Sequence, residues 1–106
     1  MTELATYLYR VQPTRLEMLS QGSTPEEDAI IDEHFTYLQT LTAQGVVLFV
    51  GRTLTATPGT FGIVVYRAAS DKAAQEIMNQ DPAVRQGVMH APLFPFRIAL
   101  VGQLTT

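Results

Sequence analysis

The sequence predicts an α+β domain of order β-α-β-β-α-β, an antiparallel sheet carrying two helices on one face. Three observations predict it. Two segments of helical periodicity, residues 25–44 and 71–80, alternate with short apolar runs of strand length. Each helical segment opens on a cap, Thr24-Pro25-Glu26-Glu27 in the first and Ser70-Asp71 in the second. The two central apolar runs are joined across a Pro58-Gly59 turn, which makes them a hairpin.

The first strand is read at residues 5–11, where Tyr7, Tyr9 and Val11 alternate with Leu8 and Arg10. Of Tyr7 and Tyr9, only one is expected to face the helices. Pro13 ends the strand, and residues 14–23 read as a loop with at most a short turn. In the first helix Thr24 caps, Pro25 takes the first helical position and Glu27 closes a capping box. Glu26, Glu27 and Asp28 suit the positive end of the helix dipole. Gly45 stops the helix after about Gln44.

The run Val46-Val47-Leu48-Phe49-Val50 is apolar without alternation, so both of its faces should be buried. Residues 51–54 continue it outward. Residues 61–66 form the next strand, again apolar on both faces. The second helix packs through Ala73, Ala74, Ile77 and Met78, and Pro82 disfavours helix at Asp81. Residues 83–89 read as an irregular turn. The last strand is expected at residues 93–101, with an edge or bulge near Pro92 and Pro95. Right-handed crossovers leave few alternatives to a ferredoxin-like sandwich.

The chain of 106 residues fits one domain, residues 1–106. One layer of helices leaves a sheet face bare, and the doubly apolar strands imply that it is covered. A second copy is the simplest cover, so a homodimer through the helix-free sheet face is expected, as in dimeric α+β barrels. The net charge is −3 and the seven basic residues are scattered, so no nucleic-acid footprint exists. There is no cysteine, which excludes disulfides and thiolate chemistry and fits a reducing cytosol. No apolar run approaches the roughly 20 residues of a membrane span, and the N-terminus lacks signal-peptide features. A cytoplasmic location without membrane contact is expected.

One residue breaks the apolar pattern of the first helix. Ile30, Ile31, His34, Leu38 and Leu41 share one stripe. An imidazole there needs a hydrogen-bond partner, and it is the side chain that ordinarily titrates near neutrality. Asp81 is similarly placed on the second helix, four residues after Ile77 and seven after Ala74. Two readings stay open. His34 is a core histidine bonded to a backbone carbonyl or Tyr37, and Asp81 a turn-starting carboxylate before Pro82. Otherwise the two meet between the helices, and the carboxylate fixes the tautomer of an acid–base imidazole.

Three further residues are candidates beside them. Arg52 is a holder of an anionic substrate or a strand-end surface arginine. Phe61 is a pocket wall or a core aromatic. Gly51 admits a ligand to the backbone or marks a bulge. His90, in a Pro-flanked loop, reads as solvated. With two histidines a zinc site is poorly supported, and no glycine-rich cofactor motif is present, so neither metal nor organic cofactor is expected.

The order and spacing of several segments carry a resemblance. They are Pro25-Glu26-Glu27, His34-Phe35, Tyr37-Leu38, Gly45, Gly51-Arg52-Thr53-Leu54 and Phe61-Gly62-Ile63-Val64-Val65. Asp81-Pro82-Ala83-Val84, Gly87-Val88 and Pro95-Phe96-Arg97 complete the set. Together, over residues 5–101, the chain resembles the YCII-related family. That resemblance implies a ferredoxin-like dimeric α+β barrel and a pocket in which His34 and Asp81 form a dyad. It implies a small enzyme of lyase or isomerase type, dehydrochlorinase-like, moving a proton on a small cyclic or aromatic substrate. The alternative is a non-catalytic small-molecule-binding or accessory module built on the same pocket. Many members have Gly-Pro where this chain has Gly51-Arg52, so the ligand class does not carry over.

Overall fold

A computed structural model describes residues 3–103. Strand β1 (Ala5–Pro13) is followed by a four-residue helix, α1 (Glu17–Ser20), and the long helix α2 (Pro25–Ala43). The hairpin β2 (Val47–Arg52) and β3 (Gly62–Ala68) comes next. Helix α3 (Asp71–Gln80), the single turn α4 (Pro82–Arg85), β4 (Met89–His90) and β5 (Leu93–Pro95) complete the order. All strand pairs are antiparallel. The order is β2-β3-β1-β4, with β5 pairing the other half of β1. This is the expected α+β sandwich.

The helix starts are as the sequence predicts. Thr24 Oγ1 accepts from the Glu27 N–H at 3.1 Å, and the Glu27 carboxylate accepts from the Thr24 N–H at 2.8 Å. Ser70 caps α3 through the Ala73 N–H at 3.1 Å. Gly45 takes φ 78°, the left-handed conformation that ends α2 without a Cβ clash.

Tyr7, Tyr9 and Val11 all face the helices and are buried. The expectation that only one tyrosine faces inward is therefore wrong, because residues two apart on a strand share a face. These tyrosines also tie the layers together. Tyr66 packs edge-on against Tyr9 with ring centroids 5.5 Å apart. The Tyr66 hydroxyl donates to the Ala74 carbonyl at 2.6 Å, and the Tyr37 hydroxyl to the Ile77 carbonyl at 2.8 Å. Burial and the neighbouring phenols push the Tyr66 pKa up, so it stays a donor. Leu38, Val47, Val64, Ala74 and Met78 fill the remaining core.

Two other expectations are corrected. Val64, Val65 and Tyr66 of β3 are consecutively buried, but β2 is not buried on both faces. Phe49 is 47% and Val50 45% exposed within the single chain. The reason is position: Phe49 lies on the helix-free sheet face, which no further layer covers in the single chain, and Val50 lies on the open wall of a cleft under α2. The last strand is also shorter than residues 93–101. The Phe96 N–H still bonds the Thr6 carbonyl at 3.0 Å, but β1 begins at Ala5, so the chain beyond has no strand to pair with. Leu100 is 94% exposed.

A β-bulge in β2 has consequences for the site. Val47 pairs with Tyr66 and Phe49 pairs with Val65, leaving Leu48 as the extra residue. Val50 then pairs with Val64, and Arg52 with Gly62. Tyr66, Val64 and Gly62 are cross-strand partners of Tyr7, Tyr9 and Val11. Hence Val47, Val50 and Arg52 all project to the helix face. Strict alternation from Val47 would send Val50 and Arg52 the other way.

Candidate functional site

His34 and Asp81 meet. Asp81 is fully buried, and His34 Nδ1 lies 2.7 Å from its Oδ1 and 2.8 Å from its Oδ2. Asp81 arrives there differently from expectation. It does not continue the α3 stripe: its backbone is extended, with φ −61° and ψ 122°, as Pro82 requires. It is the residue between two helices, ending α3 and capping α4, and its Oδ1 accepts from the Ala83 N–H at 3.0 Å. A cap side chain folds back over its own helix start, which here is the interior facing α2.

A third group completes the carboxylate's partners. The buried Tyr9 hydroxyl donates to Asp81 Oδ2 at 2.7 Å. Burial first, and then the Asp81 charge, push the Tyr9 pKa well up, so Tyr9 remains a donor. Donors from Tyr9, Ala83 and His34 surround one carboxylate. A carboxylate offers acceptors only, so the Nδ1 of His34 carries the hydrogen between them. In the neutral ring Nε2 is then a lone-pair acceptor, which makes it the nitrogen for chemistry. The core-histidine alternative with Tyr37 does not occur, since that hydroxyl goes to Ile77.

His34 also borders a cleft of about 880 Å³ between α2 and the β1–β3–β2 surface. Gly51, Arg52 and Phe61 line the same cleft, so four of the five expected site residues border one space. Asp81 lies behind His34 and does not line it. Val11, Leu38, Val50 and Val64 make the wall largely apolar, as small-molecule sites are. Gly62 forms part of this wall, and its lack of a side chain matters. A Cβ there would come within 3.1 Å of Val11 Cγ2 and 3.4 Å of the Gly51 carbonyl. His90 lies outside the cleft and is exposed, as expected. Among the described residues no three His, Asp or Glu side chains gather as a metal site would require.

Sequence reasoning missed Tyr9 and the wall made by Met18 and Leu19 of α1. Correct strand parity would have found Tyr9. The α1 wall had no local signal, because a distant pair holds it. Arg15 binds the Glu27 carboxylate through two nitrogens, at 2.6 and 3.0 Å, and also the Gly22 carbonyl at 3.2 Å. This bidentate pair latches residues 15–22 to the start of α2.

The Arg15 hydrogen bonds, followed by that of the Thr24 backbone, lower the Glu27 pKa from 4.5 to about 2. A depressed carboxylate pKa contributes stability that is present above 4.5 and lost as pH falls through about 2. The Met18 methyl NMR signal should therefore hold steady from neutral pH to about 4.5 and move between about 4 and 2. Arg15→Met should place it in the unlatched position throughout. A midpoint near 4.5 in the unsubstituted protein would show that no latch exists.

The YCII-related domain family matches residues 9–97. No curated protein matches the chain significantly. Among solved structures, the chain is similar to 5-chloro-2-hydroxyhydroquinone dehydrochlorinase from Burkholderia phenoliruptrix AC1100, in complex with 2,5-dihydroxybenzoquinone. The TM-score is 0.62 at 18% identity, over 86% of this chain and 93% of that one. It is also similar to a candidate antibiotic biosynthesis monooxygenase from Bacteroides thetaiotaomicron VPI-5482, with TM-score 0.51 and 14% identity. That match covers 98% of this chain and 97% of the other. At these identities the likeness is one of fold. No helix among the described residues is long and apolar enough to cross a membrane.

Proposed function

Because the chain belongs to the YCII-related domain family, we propose that it is a small enzyme of lyase or isomerase type that moves a proton on a small cyclic or aromatic substrate. The observation that carries this is the His34–Asp81 contact beside an apolar cleft. In this reading His34 Nε2 takes a proton from a substrate carbon or hydroxyl and returns it elsewhere. Asp81 holds the ring in one tautomer and balances the imidazolium that forms. Tyr9 and the Ala83 N–H hold Asp81. Phe61 walls the substrate, Gly51 lets it approach the backbone, and Arg52 contacts its polar end. The fold shared with a dehydrochlorinase supports a chemistry in which proton removal precedes loss of a leaving group.

The test is enzyme-dependent exchange of an acidic ring C–H with deuterium, followed by NMR across a panel of hydroxylated and chlorinated ring compounds. His34→Gln should slow it by about 10²–10⁴-fold. An undiminished rate in that variant would remove His34 from the chemistry, and a lack of enzyme-dependent exchange by the unsubstituted protein on every compound would leave the non-catalytic binding module as the reading. That module is the second reading because Asp81 is saturated with donors, which also suits a rigid polar anchor.

We further propose a homodimer joined through the helix-free sheet face, working in the cytoplasm. Phe49 and Phe94 lie on that face, flanking Leu8 and Val65, and both are exposed in the single chain. A partner surface would supply their apolar cover. Light scattering at micromolar concentration should give twice the chain mass of 11.7 kDa, and Phe49→Asp should halve it. A single-chain mass for the unsubstituted protein would refute the dimer.

A further inference from the structure

We infer that the cleft selects a small ring compound bearing one carboxylate, seated on Arg52. The inference rests on the reading of this cleft as the ligand site, though not on proton transfer.

Three observations combine. First, the Leu48 bulge turns Arg52 to the helix face, where it lines the cleft. An arginine at the end of an edge strand would ordinarily be free to point into solvent; here one extra residue upstream aims it inward. Second, Arg52 makes no ion pair or side-chain hydrogen bond among the described residues. Arg15 shows the contrast, its guanidinium being spent on Glu27. A planar donor fork without a protein partner, at an apolar wall, matches a bidentate carboxylate.

Third, the remaining charges in the cleft leave this role to Arg52. The other ionisable groups lining it are Asp32 and His34, both on α2. Asp32 repels an anion on its own side. The charge of His34, when protonated, is balanced by Asp81 behind it. The whole chain carries −3, so no general field draws anions in, and the attraction has to be local. A carboxylate at Arg52 leaves the ring against Val50, Phe61 and Leu38, with its far side toward His34 Nε2.

The probes are benzoate and cyclohexanecarboxylate, each compared with its uncharged amide, by titration calorimetry at neutral pH. The unsubstituted protein should bind each acid at least about tenfold more tightly than its amide, one decade being 1.4 kcal/mol. Raising the ionic strength should narrow that gap. Arg52→Gln should erase it and Arg52→Lys should keep part of it. Arg52 is exposed, so neither change should disturb folding. His34→Gln should leave the preference in place. Equal binding of acid and amide, or binding of neither, overturns the inference. So does a preference that survives Arg52→Gln or disappears in His34→Gln, since the anion would then sit elsewhere. A retained preference with no deuterium exchange would refute proton transfer and leave this inference standing.

Discussion

Asp81→Ala should lower the free energy of unfolding by about 3–5 kcal/mol. The substitution removes one small side chain but leaves three donors behind. The Tyr9 hydroxyl is buried and would lose its acceptor, which costs about 1–3 kcal/mol by itself. The Ala83 N–H would lose its cap, costing about 1 kcal/mol more. His34 Nδ1, only 12% exposed in its side chain, would also be left unpaired. Set against a typical domain stability of about 5–15 kcal/mol, this is a large fraction of the whole. Urea denaturation followed by circular dichroism measures it. Asp81→Asn should cost less, because its amide oxygen still accepts from one donor. A loss under about 1 kcal/mol for Asp81→Ala would mean that the carboxylate is not the hub its contacts indicate.

His34→Gln should reduce the rate of proton exchange on an identified substrate by about 10²–10⁴-fold, the usual contribution of a positioned acid–base group. Its stability cost should be smaller than that of Asp81→Ala, since the glutamine amide can still donate to Asp81 from a similar position. This separation of effects is the informative part. Asp81 holds its surroundings together, whereas His34 sits at the boundary between that network and the cleft. Asp81→Asn should therefore slow exchange as well, by letting the ring adopt the wrong tautomer or tilt. A His34→Gln rate within threefold of the original would remove His34 from the chemistry.

Much of the fold is legible because local signals agree with the final packing. The capping box at Thr24 and Glu27 needs no tertiary information, and neither does the left-handed stop at Gly45. His34 and Asp81 stand out because polar groups on apolar stripes need partners. Even so, the route to Asp81 was only partly legible. Its helical spacing from Ile77 suggested a shared stripe, while its actual placement comes from capping α4 before Pro82. The features that escaped are those set at a distance. The length of β5 depends on where β1 begins, not on the strand-like run from Arg97 to Val101. The direction of Arg52 depends on how β2 registers against β3, which no local pattern of β2 records. The α1 wall depends on Arg15 finding a glutamate twelve residues away.

The bulge at Leu48 separates two properties that a strand normally couples. In a regular strand the identity of each residue and the side it faces are fixed together by counting from any neighbour. Here the count is interrupted between Val47 and Phe49, so the core contact made by Val47 and the charge presented by Arg52 are independent of one another. Were the same residues to pair without the bulge, every side chain beyond Val47 would be unchanged in kind but inverted in direction, presenting Gly51 where Arg52 now points, whereas deleting Leu48 would make the strand regular and leave Arg52 aimed at the cleft. The electrostatic character of the cleft is thus written in the register of one strand as much as in its composition. A slip of that register can redirect ligand choice without altering a single residue of the binding wall.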